Sequence, residues 1–153
     1  TIFGVEGEAS AGSPDLTWAT ASDTPLCWAN GQYEIDNGCS VGSGFVQTPD
    51  TNLGATEYCQ YLEADGETLA NTAQNIWHLP TIEEYQSITD YTLYNNATEV
   101  PGFAEVTNYW SSTEYAEYPD NAWSWNLWNG YTGVNDKYNQ YAVRCARLAS
   151  SPR

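Results

Sequence analysis

At 153 residues, with 41% hydrophobic residues, seven Trp and twelve Tyr, the chain is long enough for one domain burying roughly 70% of its unfolded surface and too apolar for disorder. Twenty acids stand against four bases, for a net charge of -16, and all four bases (Lys137, Arg144, Arg147, Arg153) follow the last acid, Asp136. Such a charge repels phosphate chains and anionic lipid, which argues against nucleic acid, and no apolar run approaches the ~18 residues of a membrane span, which argues against membrane insertion.

In chain order, Leu16-Thr17-Trp18-Ala19 reads as a first strand, and little regular structure is legible in the rest of the first 50 residues. From Asp50 the pattern turns helical, because Ala55, Tyr58, Cys59 and Leu62 recur at i, i+3, i+4 and i+7. Asp50 or Thr51 would cap that helix and Gly66 would end it. Thr81-Ile82-Glu83-Glu84 has the form of a capping box and opens a second helix, whose Tyr85, Ile88 and Leu93 can face a core.

Beyond Thr107 the period becomes alternating. Trp123, Trp125 and Leu127 point one way and Ser124, Asn126 and Trp128 the other, so one face is core. Asn129-Gly130 predicts a two-residue hairpin of type I′, in which both central residues take positive φ. In a closing strand, Tyr141, Val143 and Cys145 share a buried face, and Trp110 and Trp123 are read as core.

Four cysteines, Cys27, Cys39, Cys59 and Cys145, lack the CxxC spacing of zinc or redox sites and are read as disulfides. Three pairings are possible, and spacing alone does not choose. Cys27 and Cys39 flank a short polar loop with turn signals at Gly31 and Asn37-Gly38, whereas Cys59 falls on a helix and Cys145 on the last strand. That placement makes Cys27 with Cys39 and Cys59 with Cys145 the pairing to test, and two bridges imply an oxidising, extracellular setting.

Between the framework pieces lie residues of another kind. Tyr115, Glu117, Tyr118, Pro119 and Asp120 precede the Trp-rich strand; Ser124, Leu127, Trp128, Tyr131, Gly133, Val134, Asp136, Tyr138 and Asn139 interrupt or follow it. Tyr and Trp give large stiff contact areas, and Asn, Ser and Gly give adaptable polar ones, the usage of antibody loops. These positions are the candidate ligand-binding set, with Tyr115, Tyr118, Trp128, Tyr131 and Tyr138 expected in one contiguous patch.

Trp77-His78-Leu79-Pro80-Thr81, preceded by Tyr58-Cys59 and followed by Tyr109-Trp110-Ser111-Ser112-Thr113, Ala122-Trp123, Asn129-Gly130 and Val143-Arg144-Cys145-Ala146-Arg147, resembles the ordered motifs of the Lcl C-terminal domain family. The chain departs from them at His78, where the family has Arg, and at Ala146, where it has Val. The resemblance implies an α+β domain of C-type lectin fold, two helices packed on a small twisted antiparallel sheet, spanning 1–153. Some relatives are the variable proteins of diversity-generating retroelements, in which mutated adenines diversify Asn codons on a fixed scaffold. Substitution at those adenines can give Tyr, Asp, Ser, Gly, Val, Leu, Pro or Asn, the residue types of most candidate positions, whereas Glu117 and Trp128 cannot arise that way.

The resemblance thus implies a display protein, exposed at a cell or virion surface and monomeric within a larger assembly, whose partner is a protein or glycan on another cell or particle. The rival is a carbohydrate-binding lectin or adhesin, working through calcium or by aromatic stacking. Asp120-Asn121 and Asn135-Asp136 offer calcium some oxygens, but the Glu-Pro-Asn and Trp-Asn-Asp triplets of sugar-binding C-type lectins are missing. No cofactor motif is found and no resident metal is expected. Nor is an enzyme, because the single histidine, His78, has no nucleophile beside it in sequence, and Glu83-Glu84 sit where carboxylates favour a helix dipole.

Overall fold

The computed structural model describes residues 16–20, 25–93, 97–98, 100, 103 and 108–148. Within them the chain is α+β, with short helices and small, mostly antiparallel sheets. Strand β1 (Leu16–Trp18) pairs antiparallel with β8 (Ala146–Leu148), Leu16 opposite Leu148, so two segments far apart in sequence close on each other. Helix α1 (Gln32–Asp36) follows, in the stretch where no regular structure was legible. β2 (Ser40–Val41), β3 (Gly44–Gln47) and β4 (Asn52–Leu53) form a second small sheet.

Helix α2 (Ala55–Tyr61) starts later than the expected Asp50 or Thr51 cap. The Thr48 hydroxyl and the Thr51 carbonyl close a turn, β4 intervenes, and the Glu57 carboxylate caps the helix by accepting from the Gly54 amide at 3.0 Å. The helix also ends before Gly66, which sits at positive φ in the following turn. Helix α3 (Ile82–Ser87) carries the expected capping box: the Thr81 hydroxyl accepts from Glu84 N at 3.1 Å, and Thr81 N donates to the Glu84 carboxylate at 2.9 Å.

The largest sheet orders β5 (Asn108–Glu114), β6 (Asn121–Asn126) and β7 (Thr132–Asp136), all antiparallel, with a register shift in β5 between Trp110 and Glu114. Its strands β5 and β6 are buried on both faces, not on one as the alternation of β6 implied. Trp110 and Ala122 join Leu26, Cys59, Trp77, Val143 and Cys145 in one cluster, while Tyr109, Trp125 and Leu127 join Tyr85 and Phe103 in another. Trp123 is only half-buried against the second cluster. The buried indoles find acceptors, Trp110 Nε1 on the Leu26 carbonyl and Trp125 Nε1 on the Thr89 hydroxyl, both at 2.8 Å, so these large side chains enter the core without stranding a donor.

Both expected disulfides are formed. Cys27–Cys39 closes a local loop beside Phe45, and Cys59–Cys145 ties α2 to the segment entering β8. That segment is not a regular strand; Ala142 to Ala146 are all buried, Arg144 included, with its Nε donating to the Ala19 carbonyl and its guanidinium over the Phe103 ring. Among the described residues no helix is long and apolar enough to cross a membrane.

Candidate functional site

The candidate residues cluster at the two ends of the β5–β6–β7 sheet. At the first end the β5–β6 connection is a chain of backbone turns: Tyr118 N donates to the Tyr115 carbonyl at 3.2 Å and Asn121 N to the Tyr118 carbonyl at 2.8 Å. Lys137, just after β7, braces it from beneath. Its backbone N donates to the Asp120 carbonyl, and its buried Nζ donates to the Glu114 carboxylate at 2.7 Å and to the Pro119 carbonyl while lying 4.3 Å over the Trp28 ring. Lys137 is therefore a fixed internal strut.

On that frame Tyr115 stacks on Tyr118, with centroids 5.8 Å apart, and meets Trp123 edge-on. Its hydroxyl donates to the Glu117 carboxylate at 2.6 Å, a bond that pushes the Tyr115 pKa up. Tyr118 stands out at 64% exposure, and Glu117, Pro119 and Asp120 are exposed beside it. Tyr138 packs against Tyr33 at 5.9 Å, and the Tyr33 hydroxyl donates to Asp136 at 3.2 Å. Burial, then the bond to Asp136, raises the Tyr33 pKa to about 12.

The two Asn/Asp pairs considered for calcium do meet here, because Asn121 lies opposite Asp136 and Ala122 opposite Asn135. Two of their oxygens are already engaged: with its amide turned to match its neighbours Asn121 donates to Asp136 Oδ1 at 2.9 Å, and Asn135 Oδ1 accepts from the Ser124 hydroxyl at 2.7 Å. Among the described residues no three His, Cys, Asp or Glu side chains are grouped to hold a metal ion.

At the opposite end the β6–β7 hairpin is not the two-residue turn that Asn129-Gly130 predicted. Asn126 N donates to the Tyr131 carbonyl and the Asn126 carbonyl accepts from Gly130 N, leaving a four-residue loop in which Gly130, and not Asn129, has positive φ. The reason is tertiary. Leu127 is drawn into the core, and the loop is then fixed by the Asn126 side chain accepting from Trp128 N and the Asn129 side chain accepting from Tyr131 N. Trp128 and Tyr131 are left projecting, 47% and 65% exposed.

The expected single patch is therefore divided. Tyr115, Tyr118 and Tyr138 lie at the Asn121 end of β6 and Trp128 and Tyr131 at the Asn126 end, five residues or about 17 Å apart along the strand. Half-buried Gly133 and Val134 of β7 run between them, and the Asn139 amide closes the turn after β7 on the Asp136 carbonyl. Two candidates are not available at all. Ser124 and Leu127 are 2% and 1% exposed, because both faces of β6 are covered and a side chain pointing away from one cluster points into the other.

One residue that sequence reading passed over belongs to the second end. Tyr91, 58% exposed, lies where a Cβ on Gly130 would approach its ring to 3.3 Å. Asp90 N donates to the Ala97 carbonyl and Ala97 N to the Leu127 carbonyl, stitching this loop to the hairpin across more than 30 residues. No periodicity marks such a contact. Elsewhere, His78 Nε2 bonds the Glu84 carboxylate at 2.8 Å in a cleft that also contains Ser112, and no hydrogen bond joins Ser112 to the ring among the described residues.

Residues 12–147 match the Lcl C-terminal domain family. No curated protein matches the chain.

Proposed function

The chain belongs to the Lcl C-terminal domain family, and we propose that it is a ligand-binding display domain of C-type lectin type, the hypervariable target protein of a diversity-generating retroelement. One observation carries the reading. Tyr118 and Tyr131 project from loops whose backbone paths are fixed by other groups: the turn hydrogen bonds and Lys137 at one end, Asn126, Asn129 and Gly130 at the other. Side chains that do not hold the fold can be exchanged without losing it, which is what a display surface requires, and exposed aromatics are the residues that anchor interfaces.

The partner is a protein or glycan on another cell or particle. The two disulfides fit an oxidising setting at a cell or virion surface. The reading is of binding rather than catalysis, since His78 is held by Glu84, a carboxylate already capping α3, and has no bonded nucleophile among the described residues.

The test replaces Tyr118 and Tyr131 together by Ser. Exposed positions shift stability by about 0.5 kcal/mol or less each, whereas Trp110→Ala, at a fully buried site, costs roughly 3 to 5 kcal/mol. A melt of the double variant as damaged as that of Trp110→Ala would end the display reading. The retroelement part is tested separately by sequencing the neighbouring DNA, where an adenine-mutated near-repeat of the C-terminal coding segment beside a reverse transcriptase gene is expected.

A further inference from the structure

Two main-chain hydrogen bonds frame the β6–β7 ladder, Asn126 N to the Tyr131 carbonyl at one end and Lys137 N to the Asp120 carbonyl at the other. Between them the residue pairs run from Trp125 opposite Thr132 to Asn121 opposite Asp136 without a register shift. Bonded pairs of an antiparallel ladder recur at every second residue. Gly133 and Asn135 therefore turn their N–H and C=O groups to β6, and Thr132, Val134 and Asp136 turn theirs to the other edge. Among the described residues β7 has no neighbouring strand but β6. The Asp136 carbonyl is taken by the backbone and side-chain amides of Asn139, whereas the main-chain groups of Thr132 and Val134 have no partner among the described residues.

The opposite edge of the same sheet is closed. Trp110 N donates to the Ala142 carbonyl, Ala142 N to the Asn108 carbonyl and Ser112 N to the Pro80 carbonyl. β7 also lacks the devices that keep a strand edge from pairing. Thr132 to Asn135 includes no proline and no charged side chain, and a Cβ on Gly133 would meet only the Asn135 side-chain oxygen, at 4.0 Å.

We infer that the free edge of β7 is a docking site for an extended, basic segment of a partner protein, which adds as a further strand by bonding the main chain of Thr132 and Val134. The occupant is a polypeptide because a strand edge presents donors and acceptors at a spacing that another extended backbone matches. A second copy of this chain is disfavoured, since it would bring together two bodies of net charge -16. The basic character of the segment follows from Asp136 at the end of the strand and from exposed Asp120 and Glu117 on the adjoining turn. Lys137, the nearest base in sequence, is buried against Glu114.

The inference deepens the display reading and rests on it for the existence of a partner. Gly133, Val134 and Asp136 belong to the suspected variable set, and main-chain bonds at Thr132 and Val134 persist whichever side chains are exchanged. Val134 lies opposite Trp123, both half-buried, so the side chains of an added strand meet that face and supply selectivity.

The probe is a peptide of alternating Lys and Val, N-methylated at every second residue so that it keeps one bonding edge and does not stack on itself. The same peptide N-methylated throughout has no bonding edge, and a counterpart of alternating Glu and Val reverses the charge. Exchange of the Thr132 and Val134 amides, followed by NMR, should be fast in the free chain and slowed about tenfold or more by saturating Lys peptide. The fully methylated and Glu peptides should each bind about tenfold or more weakly than the Lys peptide. Val134→Pro removes an outward donor without touching the ladder to β6, and should lose about tenfold more affinity than Val134→Thr. If Val134→Pro does not fold, the two methylated peptides decide the question on the unmodified chain.

Failure of the Lys peptide to bind, equal binding of the fully methylated peptide, or equal or tighter binding of the Glu peptide would each overturn the inference. So would slow exchange at both amides in the free chain, or a dimer in sedimentation that protects them, because the edge would then be covered already. Failure of the display reading looks different. It would appear as a collapsed melt in the double Ser variant, whatever the peptides do.

Discussion

The two disulfides close loops of very different length, and that difference sets a measurable order of stability. Cys59 and Cys145 are 86 residues apart and Cys27 and Cys39 only 12. On the loop-entropy relation, cross-linking removes about 4.6 kcal/mol of denatured-state freedom for the long loop and about 2.8 kcal/mol for the short one. All four cysteines are buried, so the small cavities left by paired Ala substitutions roughly cancel between the two variants. The double variant Cys59→Ala/Cys145→Ala should therefore be less stable than Cys27→Ala/Cys39→Ala by about 1.8 kcal/mol, or about 4 to 7 °C in Tm for a domain of this size. Urea titrations of both variants and the parent, fitted with a common m-value, give the comparison directly. Equal losses, or a greater loss from the short loop, would refute the entropic account and mean that native contacts around Cys27 and Cys39 dominate.

Gly130→Ala should cost more than Gly38→Ala in the same titrations. Both glycines have positive φ, worth about 1 to 2 kcal/mol of strain for an L side chain, but a Cβ at Gly38 meets nothing within 4 Å, whereas one at Gly130 falls 2.4 Å from Thr89 Cγ2 and adds about 1 to 3 kcal/mol of overpacking. Burial raises the pKa values of Glu34 and Glu57 above 4.5, so their contribution to stability is full at low pH and is lost as pH rises through those raised values. Burial opposes ionisation of Glu84 too, but its bonds from His78 and Thr81 outweigh that and lower its pKa, so its contribution is lost as pH falls through the lowered value. Tm should accordingly rise as pH falls from neutral toward the ordinary carboxylate value of 4.5 and fall in stronger acid, and Glu57→Gln, which keeps an acceptor for the Gly54 amide, should flatten the rise. Lys137→Met should leave the Pro119 carbonyl without its donor, cost about 1 to 3 kcal/mol, and speed hydrogen exchange at the amides of Tyr118 and Asn121; unchanged exchange there would mean that Lys137 is not the brace of the turn.

What the sequence determined by itself was local or compositional. The capping box at Thr81 and Glu84 is a matter of four consecutive residues, and it forms as read. β1 and the alternation through Trp123 and Trp125 were legible because a strand's side-chain period needs no knowledge of its neighbours. The sequence left three cysteine pairings open, and the one that its placement of the cysteines put up for test is the one that forms.

What only the tertiary structure decided was everything that depends on a second surface. β6 shows one apolar face in sequence, yet Ala122 and Ser124 are buried as well, because a second cluster built from Leu26, Trp77 and Val143 lies behind them. Asn129-Gly130 predicts a tight turn when read alone, and burial of Leu127 draws the loop out to four residues. Lys137 is buried only because Glu114, the Pro119 carbonyl and the Trp28 ring come together around it. The candidate site divides the same way: its residue types were visible in the chain, but its separation into two ends, and the placing of Tyr91 beside Gly130 of the hairpin, come from strand direction and from the hydrogen bonds through Ala97. Local rules act over a few residues of backbone, whereas burial is set by groups brought together from distant parts of the chain.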